Sequence, residues 1–481
     1  MTRPSVTRRS PRPVRLALAV LCAAALAGCA SMAPSYVQPA APVPAQFRDA
    51  PPAAADAMPV AELDWRQVFL DERLRQVIAQ ALQSNRDLRV ALLNIEKARA
   101  QYRIQSADLL PSVDATLSRT AARSSAAASS SGVAAVSRSA SATVGFSSWE
   151  LDLFGRIRSL QDEAAQTFLA TAETQRSTRM SLLAEVASDW LNVGAYRQRV
   201  ALAQQTLESQ RRTLQLTEFL HGEGAASGVD LASIQGSVES ARADVATYAT
   251  ALEQARHALE LVVGAPVPDS LLPDTDDAET AVALAPLPAN LSSRVLLQRP
   301  DVLSAEYVLK AANADIGAAR AAFFPSISLT TTVGVGSSAL SNLFDAGTRT
   351  WSFIPTVSVP IFRAGALQAS LDAAELSADV AVAQYEKAIQ TAFGEVADVL
   401  AERARLDERL DAQRALVVAS RRGYTLADAR YRNGVDSSLQ ALTAQRTLYS
   451  AQQDLITLRL SEASNRVTLY KVFGGGADAD G

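Results

Sequence analysis

The same helix-to-strand pattern occurs twice in this chain, with corresponding residues 214 positions apart, and this repeat most constrains the fold. The later copy reads as a helix from Arg299, stops at Phe323-Phe324-Pro325 and continues as an alternation of apolar and polar residues to Val335. Proline lacks the donor for a helical hydrogen bond and disfavours helix in the preceding residue. The earlier copy stops at Pro111 in the same way. A sequence that repeats such a unit predicts two structurally related halves.

Each half contains two stretches in which apolar and polar residues alternate, the pattern of a strand with one apolar and one polar face. We predict strands at about 112–119, 141–151, 326–336 and 351–361. A change of parity near Ser147-Ser148 predicts a β-bulge. The middle of the Ser- and Ala-rich segment 119–141 is predicted to be a loop. Pro355 and Pro360 each remove a backbone donor, which predicts imperfect pairing in the last strand.

A long helical pattern follows each pair of strands and bends back at a turn containing glycine and serine. We predict helix hairpins at 154–262, with a tip near 221–229, and at 364–473, with a tip near 432–439. At about 1.5 Å per residue the longest helices would extend on the order of 100 Å. Apolar residues every seven positions from Val186 to Leu214 predict a seam for a neighbouring helix.

The domain boundaries follow from these patterns. We predict repeats at 61–265 and 289–476, a linker with solvated acidic residues at 266–288, and a tail at 477–481. The fold class is mainly α with a membrane β-barrel. Since no apolar run long enough to cross a membrane occurs outside the N-terminus, any crossing would use strands. Four strands cannot close a barrel, whereas three copies would supply twelve.

The N-terminus has a basic region, an apolar segment at 16–26 and the sequence Leu26-Ala27-Gly28-Cys29. It predicts a secretory signal at 1–28, and the small residues before Cys29 resemble a bacterial lipobox. This resemblance implies removal of the signal and a covalent lipid, including palmitate, on Cys29. Because Ala30 follows instead of aspartate, it also implies the outer membrane. Residues 29–60 read as a lipidated extended tether. The alternative is an ordinary signal peptide with a chance cysteine.

The chain resembles the outer membrane factor family, the TolC-like channels, and within it the lipoprotein branch typified by NodT and OprM. Several motifs carry the resemblance when they occur together and in this order. They are Leu26-Ala27-Gly28-Cys29, WELDLFGR at 149–156, Arg299-Pro300-Asp301-Val302, Phe323-Phe324-Pro325-Ser326-Ile327, Pro360-Ile361-Phe362, YRNGVD at 431–436 and Leu469-Tyr470-Lys471. The resemblance implies a homotrimer with a twelve-stranded barrel continued by a periplasmic helical tunnel. It also implies partnership with a periplasmic membrane-fusion adaptor and an inner-membrane RND pump that exports drugs or other small toxic compounds.

The resemblance places functional residues at the helical tips. It implies a gate at Leu439 and Arg430, with Asp436 as a further candidate, since Gln440 and Thr443 occupy positions where relatives carry aspartate rings. The alternative is that Leu439 only packs the turn and Arg430 is only a solvated helix residue. It implies adaptor docking at the turns, for which the candidate residues are Gly224, Ser227, Gly434 and Ser437.

Competing functions are less well supported by the residues. An enzyme would need a set of residues arranged for catalysis. The two histidines, His221 and His257, are not in a metal-ligand spacing. We therefore predict neither catalysis nor a metal or other cofactor. The net charge of −4 without a basic stripe argues against nucleic acid. Export of protein with an ABC transporter is the alternative within transport. A trimeric structural stalk would explain the helices but leaves the strands without a role.

Overall fold

The computed structural model describes residues 31–48, 63–128, 132–274, 281–283 and 292–477. Cys29 and the predicted signal therefore lie outside the described residues. The regular elements are helices α1 (Trp65–Val68), α2 (Glu72–Ser84) and α3 (Arg86–Ala107), strands β1 (Asp114–Ser124) and β2 (Ala135–Leu151), helices α4 (Arg156–Gly222), α5 (Gly228–Val263) and α6 (Pro300–Ala321), strands β3 (Ser326–Ser337) and β4 (Arg349–Ser358), and helices α7 (Ala366–Arg432) and α8 (Ser438–Val472). Over the described ranges, no helix has the length and apolar character needed to span a bilayer.

The four strands form one antiparallel sheet in the order β1-β2-β3-β4. Strands β1 and β2 extend further into the Ser- and Ala-rich segment than predicted, with Ser124 paired to Ala135. The small side chains of this segment do not alternate between apolar and polar, but the backbone pairing of the two strands continues through it. Strand β4 ends at Ser358, so Pro360 lies beyond the sheet. The chain breaks the helix before Pro325 as predicted, because α6 ends at Ala321 and β3 begins at Ser326.

The predicted β-bulge is confirmed in β2. Phe146 pairs with Thr331 and Trp149 pairs with Leu329, so the register shifts between them. Ser148 takes a φ of 55°, a left-handed conformation that is uncommon for a residue with a side chain. The bulge explains why the apolar positions of β2 change parity at this point.

The described chain divides into two compact units. Among the described residues, the first unit comprises 31–39, 95–128, 132–170 and 305–385, and it contains the whole sheet. Beside the sheet, the rings of Phe154 and Phe324 stack with centroids 4.9 Å apart. The indole of Trp149 donates to the backbone oxygen of Leu109 at 3.3 Å. Two aromatic residues from the resemblance motifs thus fix the start of α4 against the end of α6.

Residues 31–38 pack against α6 within the first unit. Asn313 donates its side-chain amide to the backbone oxygen of Pro34 at 2.8 Å, and Tyr36 donates to Glu306 at 3.1 Å. Lys310 lies over the rings of both Tyr36 and Tyr307. The segment following the predicted lipidation site is therefore held against the protein along this stretch, which the Pro- and Ala-rich composition does not indicate.

Among the described residues, the second unit comprises 40–48, 63–94, 171–274, 281–283, 292–304 and 386–477. Its core includes the fully buried aromatic residues Trp190, Phe69 and Tyr470. The indole N–H of Trp190 donates to the backbone oxygen of Leu271 at 2.8 Å, and the hydroxyl of Tyr470 donates to that of Leu63 at 2.7 Å. Burying the rings while satisfying their donors makes this core stable.

The two helix hairpins in the second unit have apolar seams. Within the α4–α5 hairpin, Leu207 packs with Val238 and Ala241. Within the α7–α8 hairpin, Leu406 and Leu410 pack with Leu458. Leu207 is one of the heptad-spaced residues, so the predicted seam is formed by α5.

Candidate gating and docking tips

The first tip is the turn between α4 and α5. Gly224 has a φ of 70°, which lets the helix end in a left-handed turn. Ser227 then caps α5, since its hydroxyl accepts from the backbone N–H of Asp230 at 3.1 Å. The carboxylate of Asp230 accepts in return from the backbone N–H of Ser227 at 3.3 Å. This reciprocal capping box fixes where α5 begins.

The second tip, between α7 and α8, has the same backbone form but a different cap. Gly434 has a φ of 68°, and the N–H of Val435 donates to the carbonyl of Arg430 at 2.9 Å. Ser437 occupies the cap position of α8, but its side chain makes no capping hydrogen bond. The reciprocal capping box of the first tip is therefore absent here, where Gln440 occupies the position that corresponds to Asp230.

An ion pair closes the second tip. Arg430 donates two hydrogen bonds to Asp436, from Nε at 2.6 Å and from Nη2 at 2.9 Å. The hydrogen bond from Arg430 lowers the pKa of the Asp436 carboxyl, and the same bond raises the pKa of Arg430. Two parallel charge-assisted bonds hold a fixed geometry. Arg430 thus secures its own turn, which brings together two of the three predicted gate residues.

The third predicted gate residue, Leu439, lies in the first turn of α8 with 65% of its surface exposed. Most of its side chain is therefore open to solvent in the single chain. Val435 is 60% exposed beside it in the sequence. The hydroxyl of Thr443 donates to the carbonyl of Leu439 at 2.8 Å. The apolar side chains of Leu439 and Val435 are therefore exposed at the tip, whereas the nearby Thr443 hydroxyl is hydrogen-bonded within α8.

A hydrogen bond joins the two tips, and sequence reasoning missed it. Ser438, at the start of α8, donates to Oδ1 of Asp230 in α5. Hydrogen bonds from Ser227 and then from Ser438 lower the pKa of Asp230. The spacing of Ser227 and Asp230 signals a capping box, but no local signal identifies the second donor, which lies 208 residues away. The carboxylate of Asp230 is thus shared by both tips.

The remaining polar groups of the tips also bond within the chain. His221 is in the last turn of α4, where its Nδ1 lies 2.8 Å from the carbonyl of Ala226. His221 therefore bonds to the turn that ends its own helix. Polar bonds thus hold the helix ends at both tips.

The chain matches the family model described as "Outer membrane efflux protein" at residues 77–265 and 291–475. It is 46% identical to the antibiotic efflux pump outer membrane protein ArpC of Pseudomonas putida over 455 residues, covering 94% of this chain and 93% of that protein. The same values hold for the toluene efflux pump outer membrane protein TtgC of Pseudomonas putida. The open-state crystal structure of the Neisseria gonorrhoeae outer membrane channel MtrE is similar with a TM-score of 0.84 and 39% identity, covering 93% of this chain and 99% of that chain.

Proposed function

The chain belongs to the outer membrane efflux protein family, and we propose that it acts as the passive exit duct of a tripartite efflux system. It is an outer-membrane component of an efflux pump and extends into the periplasm. The observation that carries the proposal is the family match across both repeats, each of which contains a strand pair and a helix hairpin. A passive duct requires a channel wall and a gate. The transported substrate passes through it without covalent change.

The assembly that we propose is a homotrimer. Each chain supplies four strands, so three chains supply the twelve strands of a barrel within the known range of outer-membrane barrels. The long helices, each of 67 residues in α4 and α7, would continue the duct as a periplasmic tunnel. The tips then gate the duct through Leu439, Arg430 and Asp436.

The proposed partners are a periplasmic adaptor and an inner-membrane RND pump. The turns at Gly224, Ser227, Gly434 and Ser437 would dock the adaptor, because they are the exposed ends of both hairpins. The names of the relatives ArpC and TtgC support antibiotics and aromatic solvents such as toluene as the exported class. A lipid on Cys29 would add an anchor in the outer membrane.

Complementation of a deletion strain tests the function. We expect deletion to increase sensitivity to toluene and to hydrophobic antibiotics, and the wild-type gene to restore resistance. Unchanged sensitivity together with lost secretion of a protein would instead support the duct of an ABC exporter. Mass spectrometry of the mature N-terminus tests the lipid, with Cys29→Ser as the unmodified control.

A further inference from the structure

Polar contacts dominate the hydrogen-bonded boundary between the two hairpins, although each hairpin has an apolar seam inside. From α4, Ser209 lies 3.3 Å from the hydroxyl of Tyr424 and Thr217 lies 2.9 Å from that of Tyr431, both on α7. Arg199 of α4 donates to Thr457 of α8 at 2.9 Å. The helices of one hairpin therefore meet those of the other through hydroxyl and guanidinium groups.

Two buried glutamines form the centre of this boundary. Gln210 of α4 is 4% exposed and Gln445 of α8 is 8% exposed. The side-chain amide of Gln210 donates to Oε1 of Gln445 at 2.8 Å. The other end of Gln210, its Oε1, is buried without a hydrogen-bond partner among the described residues. Burying such an acceptor is unfavourable unless a group donates a hydrogen bond to it.

A polar cavity of about 130 Å³ lies beside these glutamines. Its wall includes Thr206 and Gln210 from α4, Ser237 and Asp244 from α5, and Gln445 and Arg446 from α8. A cavity needs only about 10–15 Å³ to hold one water, provided that polar partners line it. The volume and the lining therefore suit several waters, whereas an apolar cavity of this size would remain dry.

Two hydroxyl groups in the wall donate their protons to backbone carbonyls, which leaves their oxygens as acceptors. Thr206 uses its proton on the carbonyl of Leu202 at 2.8 Å, and Ser237 uses its proton on that of Ser233 at 3.0 Å. Arg446 reaches the oxygen of Ser237 at 3.5 Å. Gln210 Oε1 and the Asp244 carboxylate are further acceptors, whereas the Arg446 guanidinium and the hydroxyls of Ser240 and Tyr449 in the same wall can donate. An occupant that both donates and accepts hydrogen bonds fits this lining, as water does.

We propose that this cavity is a water-binding site and that it forms a hydrated joint between the two hairpins. Waters can exchange one protein partner for another at little cost, so each hairpin, held together by its own apolar seam, can shift against the other. An apolar seam in the same place would resist such a shift, because its side chains interlock. The joint rests on the proposed function, since only a duct that opens needs this freedom.

Replacing both glutamines by leucine tests the joint. Gln210→Leu or Gln445→Leu alone leaves a buried polar partner unsatisfied, so each single variant should lower the apparent Tm of the purified trimer. The double variant removes both polar groups at nearly constant volume, and its Tm should recover to the wild-type value or exceed it by about 2 °C or more. The same double variant should export a fluorescent dye at least threefold more slowly in cells that carry the whole pump.

A matched control changes a seam inside one hairpin. Leu410→Met alters the α7–α8 cluster at similar volume and should leave the export rate unchanged. A high-resolution structure of the wild type should show ordered water within about 3.2 Å of Gln210 Oε1. An unchanged export rate in the double variant, or an empty cavity in that structure, would overturn the joint. If wild-type cells export no more dye than deletion cells, the proposed function itself is wrong.

Discussion

Ser438 of α8 donates a hydrogen bond to the carboxylate of Asp230, which also caps α5 through Ser227. One aspartate therefore stabilises its own helix start and connects the two tips. Breaking only the connection should separate these roles. We expect Ser438→Ala to raise single-channel conductance at rest in lipid bilayers while α5 keeps its protection from hydrogen exchange. Ser227→Ala is the matched control, since it should instead speed exchange in the first turn of α5. Equal effects of the two substitutions would contradict a tip-to-tip role.

The ion pair in the second tip predicts a response to acid. Since Arg430 lowers the pKa of Asp436, the pair is intact above the usual aspartate pKa of about 3.9 and is lost as pH falls through the lowered value. Resting conductance should therefore be constant between about pH 5 and 8 and rise below about pH 4. Asp436→Asn should conduct more than wild type at neutral pH and lose this dependence. A rise already at pH 6 would point to another group.

Removing the apolar and ionic tip contacts together should make the duct leak. Leu439 is exposed and Arg430 holds the turn, so Leu439→Ala with Arg430→Ala leaves the tip smaller and looser. We expect resting conductance in bilayers to increase at least several-fold. Val418→Ala offers a control, because Val418 is similarly exposed on α7 at 69% but lies away from the tip. A double variant with the parent's conductance would refute the gate.

The packing of residues 31–38 depends on a glycine in α6. A Cβ at Gly317 would lie 2.7 Å from the backbone nitrogen of Ala33 and 2.7 Å from Oγ of Ser159, closer than either atom permits. Gly317→Ala should displace the segment and speed hydrogen exchange of residues 31–38 about tenfold or more. Gly394→Ala in α7 is the matched control, because nothing lies within 4 Å of its added Cβ. That control should gain up to about 1 kcal/mol of helix stability.

Arg299, directly before α6, connects α7 and α8 in the second unit. Its side chain is 4% exposed and donates to Glu395 on α7 at 2.7 Å and to the carbonyl of Val472 on α8 at 3.0 Å. Arg299→Met leaves that carbonyl without its donor, so we expect a loss of about 1–3 kcal/mol in the free energy of unfolding. Arg320→Met removes an exposed pair with Glu375 and should cost at most about 1 kcal/mol. Denaturant titration of both variants measures these two losses in the free energy of unfolding.

Local chemistry made part of this structure predictable. The stop before Pro325 follows from proline alone, and the parity change around Ser147-Ser148 located the bulge. Strand ends at Ser124 and Ala135 were missed, since their side chains carry no alternation. Whether a helical side chain is buried also cannot be predicted from its own helix when the residues that cover it are distant in the sequence.

The site was predictable only where its parts are close in the chain. Arg430 and Asp436 are six residues apart, and both were predicted as gate candidates, although their pairing with each other was not. The Asp230–Ser438 bond and the Gln210–Gln445 pair join residues more than 200 positions apart. Each depends on how the hairpins pack, and a serine or glutamine on a helix surface looks the same in sequence whether it is solvated or buried.

The two edge strands of the sheet affect how readily the newly exported chain mispairs with other strands before it meets its partners. Within the described sheet β1 and β4 each pair with one neighbour, and an exposed edge is a template for mispairing. Pro355 removes a donor from β4, and Arg119 and Arg123 place charge along β1. These residues discourage indiscriminate pairing. If the chain assembles as proposed, such edges would limit aggregation in the interval between its secretion and its assembly.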